Sequence, residues 1–177
     1  YGRDSDEFDM IEINPAVVDI ASKHFSFLSA SPSTIRTHLG DGRLVLERMS
    51  ADKFDLLVLD AFSSDAIPAH LLTREAISLY RQRLHTDGIL AIHVSNNHLD
   101  LVPLVHRLSA DGGMESRVIG SEGDRSLGTQ HATWVLITSQ PSHPIWNHPS
   151  LAEASPASKA ELTDAPLWTD QHHNLVS

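Results

Sequence analysis

Residues 54–60 read FDLLVLD, a nearly continuous apolar run that ends in an aspartate. A run without alternation of apolar and polar residues is typical of a strand covered on both faces, as in the parallel sheets of α/β proteins. We therefore predict a central, buried strand over Phe54–Leu59, with Asp60 at its carboxyl end.

Apolar runs of strand length alternate with amphipathic stretches on both sides of this segment. The further predicted strands cover residues 8–13, 35–39, 89–94, 117–119 and 133–138. The predicted helices cover residues 15–25, 43–49 and 99–110, together with one that runs from Pro68 to a turn at residues 86–88. This alternation predicts an α/β fold on a mostly parallel sheet, with helices on both faces.

The helix predicted to begin at Pro68 carries an inward stripe of apolar side chains at helical spacing. The stripe consists of Leu72, Ala76, Leu79, Tyr80 and Leu84. Proline suits the first helical position because an N–H there has no partner within the helix. The sequence Thr86-Asp87-Gly88 is expected to form the turn that ends the helix.

The chain has 177 residues, 41% of them hydrophobic, which is enough to bury the core of one domain. Beyond residue 139 the composition shifts towards Pro, Ser, Ala and His. We predict a domain over residues 1–139 and an extended or partly ordered tail over residues 140–177, with one short helix near residues 158–162.

Thirteen basic and 23 acidic residues give a net charge of −10, which argues against a surface that tracks nucleic-acid phosphates. The same charge suits a polycationic substrate, although ordinary cytosolic proteins are often as acidic. The absence of cysteine excludes disulfides and thiolate metal sites.

No apolar run approaches the roughly 20 residues of a membrane span, and no signal peptide is visible. We therefore expect a soluble, cytoplasmic domain. The chain begins at Tyr1 rather than at a methionine, so we also expect further sequence upstream in the gene product.

Three carboxylates lie at or just after the carboxyl ends of predicted strands, at the edge where open parallel sheets bind ligands: Glu12, Asp41 and Asp60. Glu12 could accept hydrogen bonds from the two hydroxyls of a ribose, or could be a solvated strand end. Asp41, between Gly40 and Gly42, could accept from an adenine amino group or cap the following helix. Both roles are compatible if they use different oxygens.

Asp60 is the candidate catalytic residue because it ends the most buried strand. The alternative is a structural anchor for Ser63 and Ser64 in the loop that follows. Asp65 could bind a cationic amine or cap the helix expected at Pro68.

The twelve histidines are scattered, without the spacing of a zinc site, so we predict no bound metal. His93 lies in an apolar strand and is interpreted as a hydrogen-bonded core residue rather than a base. Trp134 and Trp168 are interpreted as packing anchors, with a position of Trp168 over the active cleft as the alternative.

Several segments together resemble a known family. They are FDMIEINPAVVDIA from Phe8, HLGDGRLVLE from His38, FDLLVLDAFSSDAIPAHLLTREA from Phe54, DGILAIHVSN from Asp87 and APLWTD from Ala165. From residue 8 to residue 139, the chain resembles the spermidine synthase-like proteins, or polyamine aminopropyltransferases, of the S-adenosylmethionine-dependent methyltransferase superfold. The segment DAFSSDAIP is similar to the family signature Asp-Ser-Ser-Asp-Pro, with Ala61 and Phe62 inserted after the first aspartate.

The resemblance implies a Rossmann-like, methyltransferase-type sheet with a C-terminal antiparallel strand. It implies aminopropyl transfer from decarboxylated S-adenosylmethionine to a polyamine such as putrescine, with no prosthetic group. Asp60 would bind the amine and act as base, next to Ser63, Ser64 and Asp65. The donor would be held by Glu12, Asp41 and Gly42.

Two alternatives stay open. One is a methyltransferase that uses intact S-adenosylmethionine as cosubstrate, and the other is a non-catalytic ligand-sensing or interaction domain, such as the soluble end of a membrane protein. The DAFSSDAIP segment favours aminopropyl transfer over methyl transfer.

The first strand and glycine-rich loop of this superfold would lie before Tyr1 and are lacking from the sequence. Without that central strand, two apolar sheet edges are unpaired. We expect that a second copy, a swapped chain or an upstream segment covers them, or that the chain alone is inactive. The upstream region could contain a membrane segment, in which case the full-length protein would be attached to a membrane.

Overall fold

The computed structural model describes residues 2–49, 53–61, 68–96, 99–124 and 126–172. The chain divides into two compact units, Tyr1–Ser50 and Ala51–Ser177. Among the described residues, the first unit has a two-stranded sheet and the second unit a five-stranded sheet.

The first unit is a strand–helix–strand crossover followed by a helix. Its elements are β1 (Glu7–Glu12), α1 (Pro15–His24), β2 (Thr34–Leu39) and α2 (Gly42–Arg48). β1 and β2 pair in parallel from Glu7 opposite Thr34 to Glu12 opposite Leu39, so both strands end at the same edge. The helix between them supplies the long connection that a parallel pair requires.

Local sequence explains where α1 begins. The side chain of Asn14 accepts a hydrogen bond from the Ala16 N–H at 3.0 Å, and Pro15 occupies the first turn. An asparagine cap followed by proline is a strong start signal for a helix. The predicted start of α1 is therefore confirmed.

The second unit contains the remaining elements. They are β3 (Phe54–Leu59), α3 (Arg74–Arg83), β4 (Leu84–His93), α4 (Val102–Asp111), β5 (Glu115–Ser121), β6 (Ala132–Thr138), β7 (Ser155–Pro156) and α5 (Lys159–Thr163). The strand order is β3-β4-β6-β5-β7. β3 and β4 are parallel, whereas β6 runs antiparallel to both β4 and β5. The predicted α/β fold with a reversed C-terminal strand is confirmed.

The helix predicted from Pro68 is wrong at its start. A short 3-10 turn covers Ala69–Leu71, and α3 begins only after Thr73. The Thr73 hydroxyl accepts a hydrogen bond from the Ala76 N–H at 3.2 Å. Because this cap satisfies an N–H that has no partner in the helix, the helix starts there and not at the proline.

The turn predicted at residues 86–88 lies instead within β4. Phe54 is opposite Leu84 and Leu56 is opposite Ile89, so β4 carries extra residues between the two pairs. A Cβ atom on Gly88 would lie 2.8 Å from the Phe54 carbonyl oxygen, so a residue without a side chain is needed at this approach. The turn residues form an irregularity in the strand.

The core of the second unit lies between its sheet and the helices α3 and α4. Leu90 and Ile92 of β4 and Val135 and Ile137 of β6 are fully buried. The helices contribute a second set of buried side chains, which includes Ala76, Ile77, Tyr80, Leu104, Val105 and Leu108. The buried core is thus centred on β4 and β6. The prediction of a central strand buried on both faces over residues 54–59 is wrong for the described part of the chain, because β3 lies at one end of this strand order and leaves Leu56 and Val58 more than half exposed.

The described part of the tail packs on the rest of the second unit. β7 pairs with β5, and the predicted short helix is present as α5, with a capping box between Ser158 and Glu161. Trp168 is 4% exposed, which confirms it as a packing anchor. The Thr73 hydroxyl donates to Asp170 Oδ1 at 2.7 Å, so the tail is tied to the start of α3.

His106 on α4 is fully buried. Its Nδ1 lies 2.7 Å from the Ser116 hydroxyl, and its Nε2 has no hydrogen-bond partner among the described residues. Burial lowers the pKa of His106, and attraction to Glu161 and Asp100 only partly opposes this effect. The folded state therefore favours the neutral ring.

Replacement of His106 by glutamine should flatten the pH dependence of stability. A histidine whose pKa is lowered on folding contributes stability that is present above the unfolded pKa of about 6.5. That stability is lost as pH falls towards the folded pKa, at up to about 1.4 kcal/mol per pH unit. Urea unfolding at pH 7.5, 6.5 and 5.5 measures the slope. His85→Gln, at an exposed position, is the control, and equal slopes for His106→Gln and wild type would contradict the assignment.

Candidate functional site

Glu12 is the last residue of β1 and is held beside the end of β2. Its Oε1 accepts a hydrogen bond from the Asn14 N–H at 2.7 Å, and its carbonyl oxygen accepts from the Gly40 N–H at 2.9 Å. Oε2 makes no hydrogen bond to any described residue. A carboxylate anchored through one oxygen can present the other to a ligand hydroxyl.

Asp41 follows β2 and caps α2. Its Oδ1 accepts a hydrogen bond from the Leu44 N–H at 3.0 Å, so the helix-cap interpretation is confirmed. The turn before it requires glycine, because Gly40 has a φ of 150° and an added Cβ would lie 3.0 Å from Val45 Cγ2.

The backbone at Gly42 is open in the part of the chain that the structure describes, since a Cβ added there would meet nothing within 4 Å. This opening suits the close approach of a planar ligand. The ligand roles of Asp41 and Gly42 stay predictions. Because Glu12 pairs with Leu39, Glu12 and Asp41 share the carboxyl edge of the two-stranded sheet.

Asp60 comes directly after β3, and its side chain is 57% exposed. Its Oδ1 lies 2.8 Å from His93 Nδ1. His93 is the last residue of β4, and Leu59 is opposite Ile92 in the parallel pair, so Asp60 and His93 leave their strands side by side. Strand register therefore creates the contact.

His93 is itself held by further contacts. Its Nε2 lies 2.7 Å from the Ser95 hydroxyl, which accepts a hydrogen bond from the Thr133 N–H at 2.7 Å. Its ring stacks on Trp134, with ring centroids 4.8 Å apart. The predicted hydrogen bonding of His93 is confirmed, but the side chain is 22% exposed at the strand end and not enclosed in the core.

His93 and Ser95 are the site residues that reasoning from sequence missed. A signal was present, because FDLLVLD and the run GILAIH both end in a polar residue at the carboxyl end of a buried strand. Ser63, Ser64 and Asp65, predicted to bind the amine, lie outside the described residues.

The structure groups the predicted residues into two sets, Glu12 with Asp41 in the first unit and Asp60 with His93 in the second. Within the described ranges, no cluster of three or more His, Cys, Asp or Glu side chains is arranged to hold a metal ion. In the same ranges, no helix has the length and apolar character needed to cross a membrane.

No protein-family model matches the chain. A segment of 85 residues is 40% identical to part of the polyamine aminopropyltransferase of Vibrio vulnificus. The match covers 46% of this chain and 27% of that protein. The structure superimposes on spermidine synthase from Thermotoga maritima with a TM-score of 0.60 at 15% identity, over 82% of this chain and 48% of that one. The chain thus spans about half the length of that enzyme.

A second superposition, on human methyltransferase-like protein 13 in complex with SAH, has a TM-score of 0.58 at 15% identity. It covers 88% of this chain and 66% of that one. At these identities the two superpositions establish a shared fold, of the Rossmann-like methyltransferase type.

The cap at Asp41 predicts a difference between two substitutions. Asp41→Ala removes the acceptor for the Leu44 N–H and should lower the free energy of unfolding by about 1 kcal/mol. Asp41→Asn retains an oxygen acceptor and should lower the free energy of unfolding much less. Chemical denaturation measures both, with Asp4→Ala at an exposed position as control. Equal losses in the alanine and asparagine variants would show that the cap contributes little.

Proposed function

We propose that this chain is a member of the spermidine synthase-like family of the S-adenosylmethionine-dependent methyltransferase superfold, and that it supplies the donor- and amine-binding residues of an aminopropyltransferase. The observation that carries the proposal is the exposed carboxylate of Asp60 at the end of β3, held through one oxygen by His93. The proposed reaction transfers the aminopropyl group of decarboxylated S-adenosylmethionine to an amine such as putrescine.

The donor would bind at the edge formed by β1 and β2. Glu12 would accept hydrogen bonds from the ribose hydroxyls through the oxygen that Asn14 does not occupy. The adenine would lie against the open backbone at Gly42, near Asp41. An adenosyl ligand is consistent with the fold shared with the human protein crystallised with SAH.

The amine would bind at Asp60. A polyamine is cationic near neutral pH, because an alkylamine has a pKa of about 10. A carboxylate attracts this ammonium group, and the net charge of −10 favours its approach. Ser63, Ser64 and Asp65 would complete the binding loop.

Only an unprotonated amine can attack carbon, so a base is needed. Asp60 would take one proton from the bound ammonium group. The freed nitrogen lone pair forms a bond to the aminopropyl carbon next to sulfur, the carbon–sulfur bond breaks, and its electron pair stays on sulfur. The products are the extended polyamine and neutral 5′-methylthioadenosine. The positively charged sulfur already makes a good leaving group, so the step needs no metal.

A methyltransferase would use the same edge for intact S-adenosylmethionine, and the likeness to methyltransferase-like protein 13 is compatible with it. The acidic Asp60 and the DAFSSDAIP segment favour a cationic acceptor and aminopropyl transfer. Transfer assays with each donor in turn separate these readings, and activity with neither would favour a sensing or interaction domain.

Replacement of Asp60 by asparagine should abolish transfer while the fold is kept. Asparagine retains an oxygen for the His93 contact but cannot take the proton, so kcat should fall about 100-fold or more. The assay uses the full-length protein with putrescine and decarboxylated S-adenosylmethionine. Asp55→Asn, at an exposed position on the same strand, should leave the rate unchanged. Unchanged activity in Asp60→Asn, or no activity in wild type, would reject the proposal.

Replacement of Glu12 by glutamine should weaken donor binding. Glutamine still accepts a hydrogen bond from the Asn14 N–H, but it offers the ribose hydroxyls no charged acceptor. Because a hydrogen bond to a charged group is stronger than one to a neutral group, the KM of the donor should rise about tenfold. Steady-state kinetics with varied donor measures this change. Glu7→Gln, at the opposite end of β1, is the control. An unchanged donor KM for Glu12→Gln would place the ribose elsewhere.

A further inference from the structure

We propose that His93 is a positioning residue for Asp60, which it holds by a hydrogen bond from Nδ1 while Ser95 holds the ring, so that the carboxylate presents its second oxygen to the amine. This inference rests on the proposed function of Asp60. It starts from a chain of contacts that crosses three strands, from Asp60 after β3, through His93 on β4, to Thr133 on β6.

The partners of His93 determine its tautomer. An ionised carboxylate only accepts hydrogen bonds, so the contact with Asp60 Oδ1 requires a hydrogen on His93 Nδ1. In the neutral ring Nε2 is then an acceptor, and the Ser95 hydroxyl donates to it. The Ser95 oxygen keeps a lone pair for the Thr133 N–H. The three hydrogen bonds that link Asp60, His93, Ser95 and Thr133 are thus all satisfied by one assignment of donors and acceptors.

The ladder between β4 and β6 holds Ser95. The Val94 N–H donates to the Thr133 carbonyl at 2.9 Å, continuing the strand pairing by one residue beyond His93. The Thr133 N–H donates to the Ser95 hydroxyl, which acts where a backbone carbonyl would serve in a regular ladder. Ser95 is therefore fixed by backbone pairing.

Stacking fixes the plane of the His93 ring. The ring lies against Trp134, the residue opposite it on β6, at an interplanar angle of 25°. His93 is therefore restrained by Ser95 on one side and by the indole on another. Asp60, in contrast, is more than half exposed, and His93 is its one hydrogen-bond partner among the described residues.

Through these contacts, residues held by the sheet restrict the rotation of the exposed Asp60 side chain. Without His93, rotation of the Asp60 side chain would move the base away from the amine, and poor orientation of a reacting group is costly in rate. A neutral imidazole also leaves the negative charge of Asp60 in place, whereas an imidazolium would compete with the cationic substrate for it.

Two substitutions separate positioning from packing. His93→Asn keeps an N–H donor near Nδ1 but loses the ring, whereas His93→Phe keeps the ring on Trp134 but loses the donor. Positioning predicts that kcat for aminopropyl transfer by the full-length protein falls about 10- to 100-fold in His93→Phe. In His93→Asn it should stay within about fivefold of wild type. Packing predicts the reverse order. A kcat for His93→Phe equal to or above that for His93→Asn would overturn the proposal.

A second measurement does not depend on activity. Nitrogen-15 NMR of labelled histidine in the full chain at pH 7.5 should show a proton on His93 Nδ1, the nitrogen that faces Asp60. Ser95→Ala, which removes the hydroxyl that donates to Nε2, should shift the Nε2 resonance. A proton on Nε2 in wild type would overturn the proposal. If wild type transfers no aminopropyl group, the function of Asp60 fails, and the NMR result still decides whether His93 holds it as inferred.

Discussion

Parallel strand pairing is the constraint on which the candidate site depends. Two parallel strands in register end at the same edge, so the residues that follow them become neighbours. In the first unit this brings Glu12 to the edge that Asp41 follows. In the second it brings Asp60 to within 2.8 Å of His93, although 33 positions separate them in the sequence. Within each unit, residues that are far apart in sequence thus become neighbours at the edge where their paired strands end.

The strands and most helices could be predicted because their signals are local. Residues 54–59 form a strand with the predicted bounds, although at the end of the described sheet and not at its centre, and Asn14-Pro15 starts α1 as expected. The start of α3 was missed because two competing start signals lie within a few residues. Pro68 is suited to a first helical turn, but the Thr73 hydroxyl pairs with both a helix N–H and Asp170 of the tail. The tail contact is a tertiary effect that local sequence cannot reveal.

The same reason explains the missed part of the site. His93 ends an apolar run, and its own neighbours in the sequence are typical of a core strand. Its place in the candidate site depends on Asp60, which follows β3, and on Trp134, which lies opposite it on β6. The structure at Gly88 also depends on a neighbouring strand. The local sequence predicts a turn there, but the backbone of Gly88 lies close to the Phe54 carbonyl oxygen and forms part of an irregular strand. Sequence periodicity predicts the face of a helix or strand on which a residue lies, whereas the register between strands determines which residues it contacts.

The proposed donor and amine sites can be tested together in a crystal structure of the full-length protein with 5′-methylthioadenosine and putrescine. We expect the ribose hydroxyls to bond to Glu12 and an amine nitrogen to lie within hydrogen-bond distance of Asp60. If the ribose binds away from Glu12, or if the amine binds away from Asp60, the proposed enzymatic site is contradicted.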